Sequence, residues 1–230
     1  HAVRPDRQTA LYGVQPFVEG ETMAERMERP LPSLKTGLDL AIKLTRGVAA
    51  LHRLDVVHRD IKPDNAILTS DGGLKLIDLG VARLPRVEDF RVDEIPGTPG
   101  FMAPEQYDGN AGDALTDQFA LGVTLYRWFT GKWPFGEQEA FQRPRFGRPV
   151  PPSNHRSEIP SWLDDAILTA IQPDCEARFG DVIELLRVLE SGGPLESGPR
   201  RSVPLIERNP ERFWQAVSAL LAAALVASLV

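Results

Sequence analysis

From Leu115 to Thr130 the chain reads LTDQFALGVTLYRWFT, an almost uninterrupted apolar run that is stopped by Gly131. A helix that is apolar on every side has no face to offer to water and is expected to be buried, and a glycine just past its end is the usual terminator. The rest of the chain therefore has to build a core around this segment. With 230 residues, 42% of them hydrophobic, it can bury one sizeable domain and carry a short extra segment. A formal net charge of -6 gives no support for a nucleic-acid partner. Cys175 is the single cysteine, which excludes an intrachain disulfide and a Cys-rich metal site, and it reads as a loop or packing residue. His52 and His155 have no second ligand at metal spacing and read as structural or solvated.

Three polar runs carry the chemistry: HRDIKPDN from His58 to Asn65, IDLG from Ile77 to Gly80, and GTPGFMAPE from Gly97 to Glu105. Taken singly, an Asp or Asn in such a loop is a turn former or a cap. Taken together and in this order, they supply the acids, amide and cation that phosphoryl transfer requires, where catalysis is mainly positioning and neutralisation of charge. Asp60 is the candidate acceptor of a proton from an incoming hydroxyl. Lys62 places a positive charge beside a transferring phosphoryl group. Asn65 and Asp78 offer a neutral and an anionic oxygen to a hard cation such as Mg2+, which keeps several waters and phosphate oxygens in its shell. The flanks predict how these groups meet. Val56-Val57 and Ala66-Ile67-Leu68 are short apolar runs, and Asp71-Gly72-Gly73 is a turn signal before Leu74-Lys75-Leu76-Ile77. That pattern predicts a hairpin with the HRDIKPDN loop at one side and Asp78 at the other.

These motifs resemble the large lobe of a eukaryotic-type (Hanks-type) bacterial Ser/Thr protein kinase, over roughly Leu11 to Glu190. HRDIKPDN is similar to the catalytic loop, IDLG to the metal-binding DFG with Leu79 keeping an apolar residue where the family packs one, and FMAPE to the closing APE. The resemblance implies an α+β fold, mainly α here: a protein-kinase-like C-terminal lobe over residues 21–190, preceded over 1–20 by the hinge and a remnant of the small-lobe sheet. It implies ATP and Mg2+ as cofactors and protein Ser/Thr hydroxyls as acceptors, with Thr98 near the catalytic loop. His58, Arg59 and Gly80 take structural or regulatory places beside the catalytic residues. Asp117 resembles the buried acid that hydrogen-bonds the catalytic-loop backbone, and a first-turn capping role is compatible with that. Arg178 in EARFGDVIELL resembles the arginine that pairs with the APE glutamate, here Glu105. Trp133-Pro134-Phe135 is read as loop packing.

On the nucleotide side, LYGVQPFVEGE from Leu11 to Glu21 resembles a strand entering the connector between two lobes. In that frame Gln15 is the gatekeeper, Pro16 offers its carbonyl and Val18 its N–H to adenine, Glu21 reaches the ribose, and Ile67 forms an apolar floor. A proline suits a position asked only for its carbonyl. No GxGxxG segment, strand lysine or partner glutamate precedes Leu11. The expectation is a fragment whose small lobe lies upstream, inactive by itself but drawn from an active parent. The alternative is a pseudokinase-like, membrane-tethered binding module. A small-molecule kinase of the same fold is disfavoured by the complete GTPGFMAPE run.

Helical periodicity through Val182, Leu185, Leu186 and Leu189 stops at Ser191-Gly192-Gly193-Pro194, and residues 191–210 read as a flexible Gly/Pro/Ser/Arg-rich linker. Beyond it, FWQAVSALLAAALVASLV from Phe213 to Val230 carries no charge. As a helix it would be on the order of 27 Å long, close to the roughly 30 Å hydrocarbon core of a bilayer. Residues 211–230 are therefore expected to form a single membrane-spanning helix, with a buried or amphipathic core helix as the alternative. Arg200, Arg201, Arg208 and Arg212 precede it, which by the positive-inside tendency places the kinase domain on the cytoplasmic side of the cell's inner membrane.

One departure concerns regulation. Arg59 in the HRD triplet pairs, in the family, with a phosphorylated residue, yet Thr98 is the only hydroxyl amino acid between Gly80 and Met102. Glu88, Asp89, Asp93 and Glu94 lie in that stretch, and one of them is expected to engage Arg59 in place of a phosphate. A solvated loop of mixed charge is the alternative.

Overall fold

The central helix begins where Asp113 caps it. Its carboxylate accepts hydrogen bonds from the Leu115 and Thr116 amides, and the Thr116 hydroxyl accepts the Asp113 N–H in return. In this computed structural model, which describes residues 16–84, 97–136 and 144–193, eight strands and helices of the described residues are arranged around that core helix. The chain runs β1 (Glu21–Thr22), α1 (Met23–Met27), α2 (Leu34–His52), β2 (Ala66–Leu68), β3 (Leu74–Leu76), α3 (Ala114–Thr130), α4 (Pro152–His155), α5 (Ser161–Ala170) and α6 (Val182–Ser191). Single 3-10 turns lie at Pro63–Asn65, Pro104–Asp108 and Cys175–Ala177. The α+β, mainly α, expectation stands.

α3 is the apolar run, and it is buried along nearly its whole length as its composition demands. It packs against α2 on one side and α5 on another, while α6 crosses α2. Leu44, Val48, Leu121, Leu125, Trp128, Phe129, Leu163, Ile167, Leu185 and Leu189 form one continuous core. Two details fix how closely the helices approach. The Trp128 indole donates to the Gly37 carbonyl at 3.1 Å, tying α3 to α2 with its one polar atom satisfied. Gly122 faces α5 so tightly that a Cβ there would lie 2.6 Å from Ile171 Cγ2 and 2.9 Å from Ala170 Cβ. Gly131 ends α3 in the left-handed region at φ 68°, and Gly192 ends α6 at φ 69°, where the sequence places both stops.

The sheet is small and antiparallel, in the order β1-β2-β3, with Ala66 opposite Leu76 and Thr22 opposite Ile67. β2 and β3 are the predicted hairpin. Val57, on the far side of the loop, is held by a single bridge to Arg83 rather than by a strand. α2 has Ser33 just outside it as its cap, accepting from the Thr36 amide.

One expectation changes, at Leu79. Pro16, Phe17 and Val18, in the expected connector, carry no regular structure; Pro16 has no N–H to pair, and Phe17 is 92% exposed. Residues 1–15, with Gln15 and the expected remnant of a small-lobe sheet, lie outside the described residues. Leu79, expected to be packed, is instead 48% exposed, because no described element lies over the turn that follows β3. Among the described residues no helix is long and apolar enough to cross a membrane. The segment from Phe213 to Val230 lies outside them, as does the linker beyond residue 193.

Candidate functional site

The loop between α2 and β2 is positioned by one buried acid. Asp117, in the first turn of α3 and 1% exposed, accepts the His58 N–H at Oδ2 and the Arg59 N–H at Oδ1, both at 2.8 Å. The His52 ring reaches the same carboxylate at 2.9 Å from the last turn of α2. Arg59 is thereby held at φ 67°, a left-handed conformation costly for a residue with a Cβ and tolerated where its surroundings over-determine it. Its aliphatic stem lies against Gly112, where a Cβ would sit 3.0 Å from Arg59 Cγ. Glu88, Asp89, Asp93 and Glu94 lie outside the described residues.

The turn that Asp117 imposes delivers Asp60 into a cluster. Its Oδ1 accepts the Thr98 hydroxyl at 2.6 Å, and its Oδ2 accepts the Asn65 Nδ2–H at 3.1 Å and lies 2.8 Å from the Lys62 ammonium. Lys62 also donates to Thr98 Oγ1 at 2.6 Å. Burial works to raise the Asp60 pKa, but the hydrogen bonds from Lys62, Thr98 and Asn65 and the Lys62 charge outweigh it and hold the carboxyl below the usual carboxylate range. Asp60 is thus an anion throughout the physiological range, with a lone pair set beside a hydroxyl and a cation.

The hairpin then brings Asp78 alongside. Ile77 N–H donates to the Asn65 carbonyl at 2.9 Å, and the Ile77 carbonyl lies 3.2 Å from His58 Nε2, so both ends of the loop grip the residue before Asp78. Asp78 sits at φ 63° and accepts the Gly80 N–H at 3.2 Å. Both hydrogen bonds of the Asn65 side chain, to the Asp60 carbonyl and carboxylate, use Nδ2, which leaves its amide oxygen for a cation. Among the described residues no group of three or more His, Cys, Asp or Glu could hold a metal ion. One amide oxygen and one exposed carboxylate fit a hard cation that completes its shell with water and phosphate, and fit poorly an all-protein cage. On the other side of β2, Gly20 at φ 156° packs so closely that a Cβ would lie 2.7 Å from Ile67 Cγ2, which carries the Pro16–Glu21 segment across Ile67. Glu21 itself is engaged by Arg29, and no described contact joins Pro16 or Val18 to the Asp60 cluster.

Glu105 and Arg178 form a largely buried ion pair. The guanidinium, with its side chain fully buried, makes two parallel bonds to the carboxylate at 2.6 and 2.8 Å, and donates to the Leu115, Gln172 and Pro173 carbonyls. It joins the segment after Thr98 to the start of α3 and to the turn before α6. Asp60, Ile61, Thr98, Phe101, Met102 and Gln106 are among the residues that line a small cavity.

Reading the sequence took His52 as structural or solvated without finding its partner, and did not single out Arg127. The partner of His52 carries no local signal, since Asp117 is far along the chain and only the fold brings α2 and α3 together. Arg127 had one: it is the sole basic residue in an otherwise apolar helix.

The residues from 5 to 186 match the family model of the protein kinase domain. The chain is 32% identical over 185 residues to the serine/threonine-protein kinase PknA of Corynebacterium glutamicum, covering 79% of this chain and 39% of that protein. It is 31% identical over 191 residues to the serine/threonine-protein kinase drp72 of Corynebacterium efficiens, covering 81% and 36%. It is 30% identical over 198 residues to PknB of Mycobacterium leprae, covering 81% and 31%. The chain thus spans about a third of the length of these relatives. With an α+β fold built on a hairpin and a buried core helix, and a match running through both, the chain belongs to the protein kinase domain family.

Proposed function

We propose that the protein containing this chain transfers the γ-phosphoryl group of ATP to Ser or Thr hydroxyls of protein substrates, and that this chain supplies the acceptor side of the reaction. The observation that carries the reading is the Asp60 cluster: one ionised carboxylate contacted together by a hydroxyl, an ammonium and the amide whose oxygen is left for a cation. Mg2+-ATP, when bound, supplies the phosphoryl group and a cation that offsets charge on its oxygens. Asn65 and Asp78 are the residues that would hold the cation, and Ile67, Pro16, Val18 and Glu21 those that would meet the nucleoside.

What the chain's own atoms do follows from their placement. Asp60 accepts a hydrogen bond from the acceptor hydroxyl and orients its lone pair; as the new O–P bond forms and the γ-phosphorus bond to the oxygen kept by ADP breaks, the hydroxyl proton moves toward Asp60 Oδ. Because its pKa is held low, Asp60 is a weak base, so its main contribution is orientation until the hydroxyl has become acidic late in the reaction. Lys62 balances the Asp60 charge and adds a cation beside the transferring group. Thr98 fixes both side chains from the opposing segment.

We extend the proposal to location: the protein sits at the cytoplasmic face of the inner membrane through the uncharged segment Phe213–Val230, with the arginines before it on the same side. The full-length protein, assayed with Mg2+-ATP and a Ser/Thr-containing protein substrate, should incorporate phosphate, and Asp60→Ala should lower kcat by about 10²- to 10⁴-fold while leaving folding intact. Equal incorporation by the variant, or none by the natural protein, would refute this reading. Failure of transfer with retained partner binding would leave the binding module.

A further inference from the structure

Arg127 is the one basic residue of α3, on the turn before the helix ends. Its guanidinium lies flat over the Trp133 ring, 3.7 Å from the centroid, and 5.5 Å from that of Phe101. Its Nε is buried and has no hydrogen-bond partner. Among the described residues no carboxylate forms an ion pair with it; the one acid whose charge bears on it is Asp64, on the catalytic loop itself. Burial lowers its pKa and Asp64 opposes that, but a guanidinium stays protonated in either case.

This is an unusual way to place a charge. Stacking uses the face of a guanidinium and leaves its in-plane N–H donors available. A half-buried guanidinium with an unpartnered buried Nε is normally paired, and one of the two rings that hold it, Phe101, also lines the cavity of Asp60 and Thr98. Phe101 lies three residues beyond Thr98, its N–H bonded to the Thr98 carbonyl at 3.0 Å, and it lines the same cavity as Asp60 and Thr98. Asp64 is four residues beyond Asp60. The guanidinium therefore lies between Trp133 and a ring, Phe101, that also lines the cavity of Asp60 and Thr98.

We infer that Arg127 is a specificity-determining residue that selects protein substrates carrying an Asp or Glu side chain a few residues from the acceptor hydroxyl, received by the guanidinium between Trp133 and Phe101. The inference rests on the phosphoryl-transfer reading and names the substrate class for that site. A carboxylate matches the planar fork of donors that stacking leaves available. A lysine or arginine at the same place in a substrate would meet a like charge in a partly desolvated position.

The test uses the full-length protein and two sets of peptides, with Asp, Ala or Lys scanned through the four positions on each side of a central residue. In the first set that residue is Thr, and kcat/KM is measured with Mg2+-ATP. In the second it is Ala, and binding is measured by fluorescence anisotropy, which needs no turnover. The expected result is one position where Asp is preferred over Ala by about 10-fold, as for a charge-assisted hydrogen bond. Arg127→Lys should keep much of that preference, and Arg127→Glu should reverse it in favour of Lys. A reversal cannot come from misfolding or from lost packing on Trp133. Peptide binding with no preference for acid at any position, or a preference that Arg127→Glu leaves unchanged, would overturn the inference even if phosphate is transferred. An acid preference in the binding set that Arg127→Glu reverses would uphold it, even if absence of transfer to the Thr peptides removed the kinase reading.

Discussion

At the scale of single residues, the site is a contest between burial and hydrogen bonding, and Asp60 shows which wins. Burial of its carboxyl favours the neutral acid, while Lys62, Thr98 and Asn65 favour the anion and prevail. A carboxyl whose folded pKa is depressed adds stability that is fully present above the unfolded value, about 3.9 for Asp, and is lost as pH falls through the folded value. The Asp60 cluster therefore stabilises the protein at neutral pH and dissolves only in acid. Replacing Lys62 by Met removes the leading hydrogen bond and the Lys62 charge, both of which lower the Asp60 pKa, so the pKa moves up. The acid limb of kcat/KM should shift to higher pH in Lys62→Met relative to the natural protein, with kcat reduced about 10²-fold or more. Superimposable acid limbs from pH–rate profiles would mean that Asp60 titration does not govern the site. Asp60, Lys62, Asn65 and Asp78 were legible in the sequence because spacing within a loop is local information. The partner of His52 was not, because that carboxylate is 65 residues away and reaches it only through the packing of α2 on α3.

At the scale of elements, α3 is the piece on which positions depend, since one helix carries Asp117 at its start, Arg127 near its end and the core between them. Its burial was readable from composition and its end from Gly131, whereas its Asp113 cap was not singled out. Its distance from α5 was not, because a glycine inside an apolar helix gives no sign of what approaches it. Gly122 costs about 1 kcal/mol relative to Ala in intrinsic helix propensity, so in an open site Gly122→Ala would stabilise. Here the added Cβ would press into Ile171 and Ala170 at distances that side chains do not adopt. The clash outweighs the propensity gain: Gly122→Ala should destabilise slightly, and Gly122→Leu by about 1–3 kcal/mol or more, as overpacking does. Denaturant unfolding of both variants would measure this, and a stabilised Gly122→Ala would show that α3 and α5 stand further apart. The weaker success at Leu79 has the complementary cause. A motif specifies the residue type, but whether an apolar side chain is covered depends on a neighbour that the local sequence does not contain.

For the whole molecule, the chain divides into residues 1–195 and residues 196–230, and every described residue belongs to the first. That first part holds the core, the Asp60 cluster and the Glu105–Arg178 lock, so it contains the interactions expected to set its melting temperature. The second part contributes a different physics. An uncharged run from Phe213 to Val230, with Gln215, Ser218 and Ser228 its few polar side chains besides the Trp214 indole, would expose mostly apolar surface in water, whereas as a helix in a bilayer its side chains would be solvated by lipid and its backbone would satisfy itself. On the membrane reading proposed above, at about 25 cal/mol per Å² of apolar surface transferred, such a run would favour the bilayer, and Arg208 and Arg212 would hold its near end at an anionic surface. Deleting residues 211–230 from the full-length protein should therefore move it from the membrane pellet to the supernatant after cell fractionation, with the calorimetric transition of residues 1–195 unchanged. Restoring the run with two Leu→Lys changes at Leu220 and Leu221 should fail to return it to the pellet, since a charge near the middle of a spanning helix costs about 2.5–3.5 kcal/mol. If the truncated protein still sediments with membranes, the attachment lies elsewhere in the protein; if the transition shifts, the last residues pack on the first part instead of leaving it for the lipid.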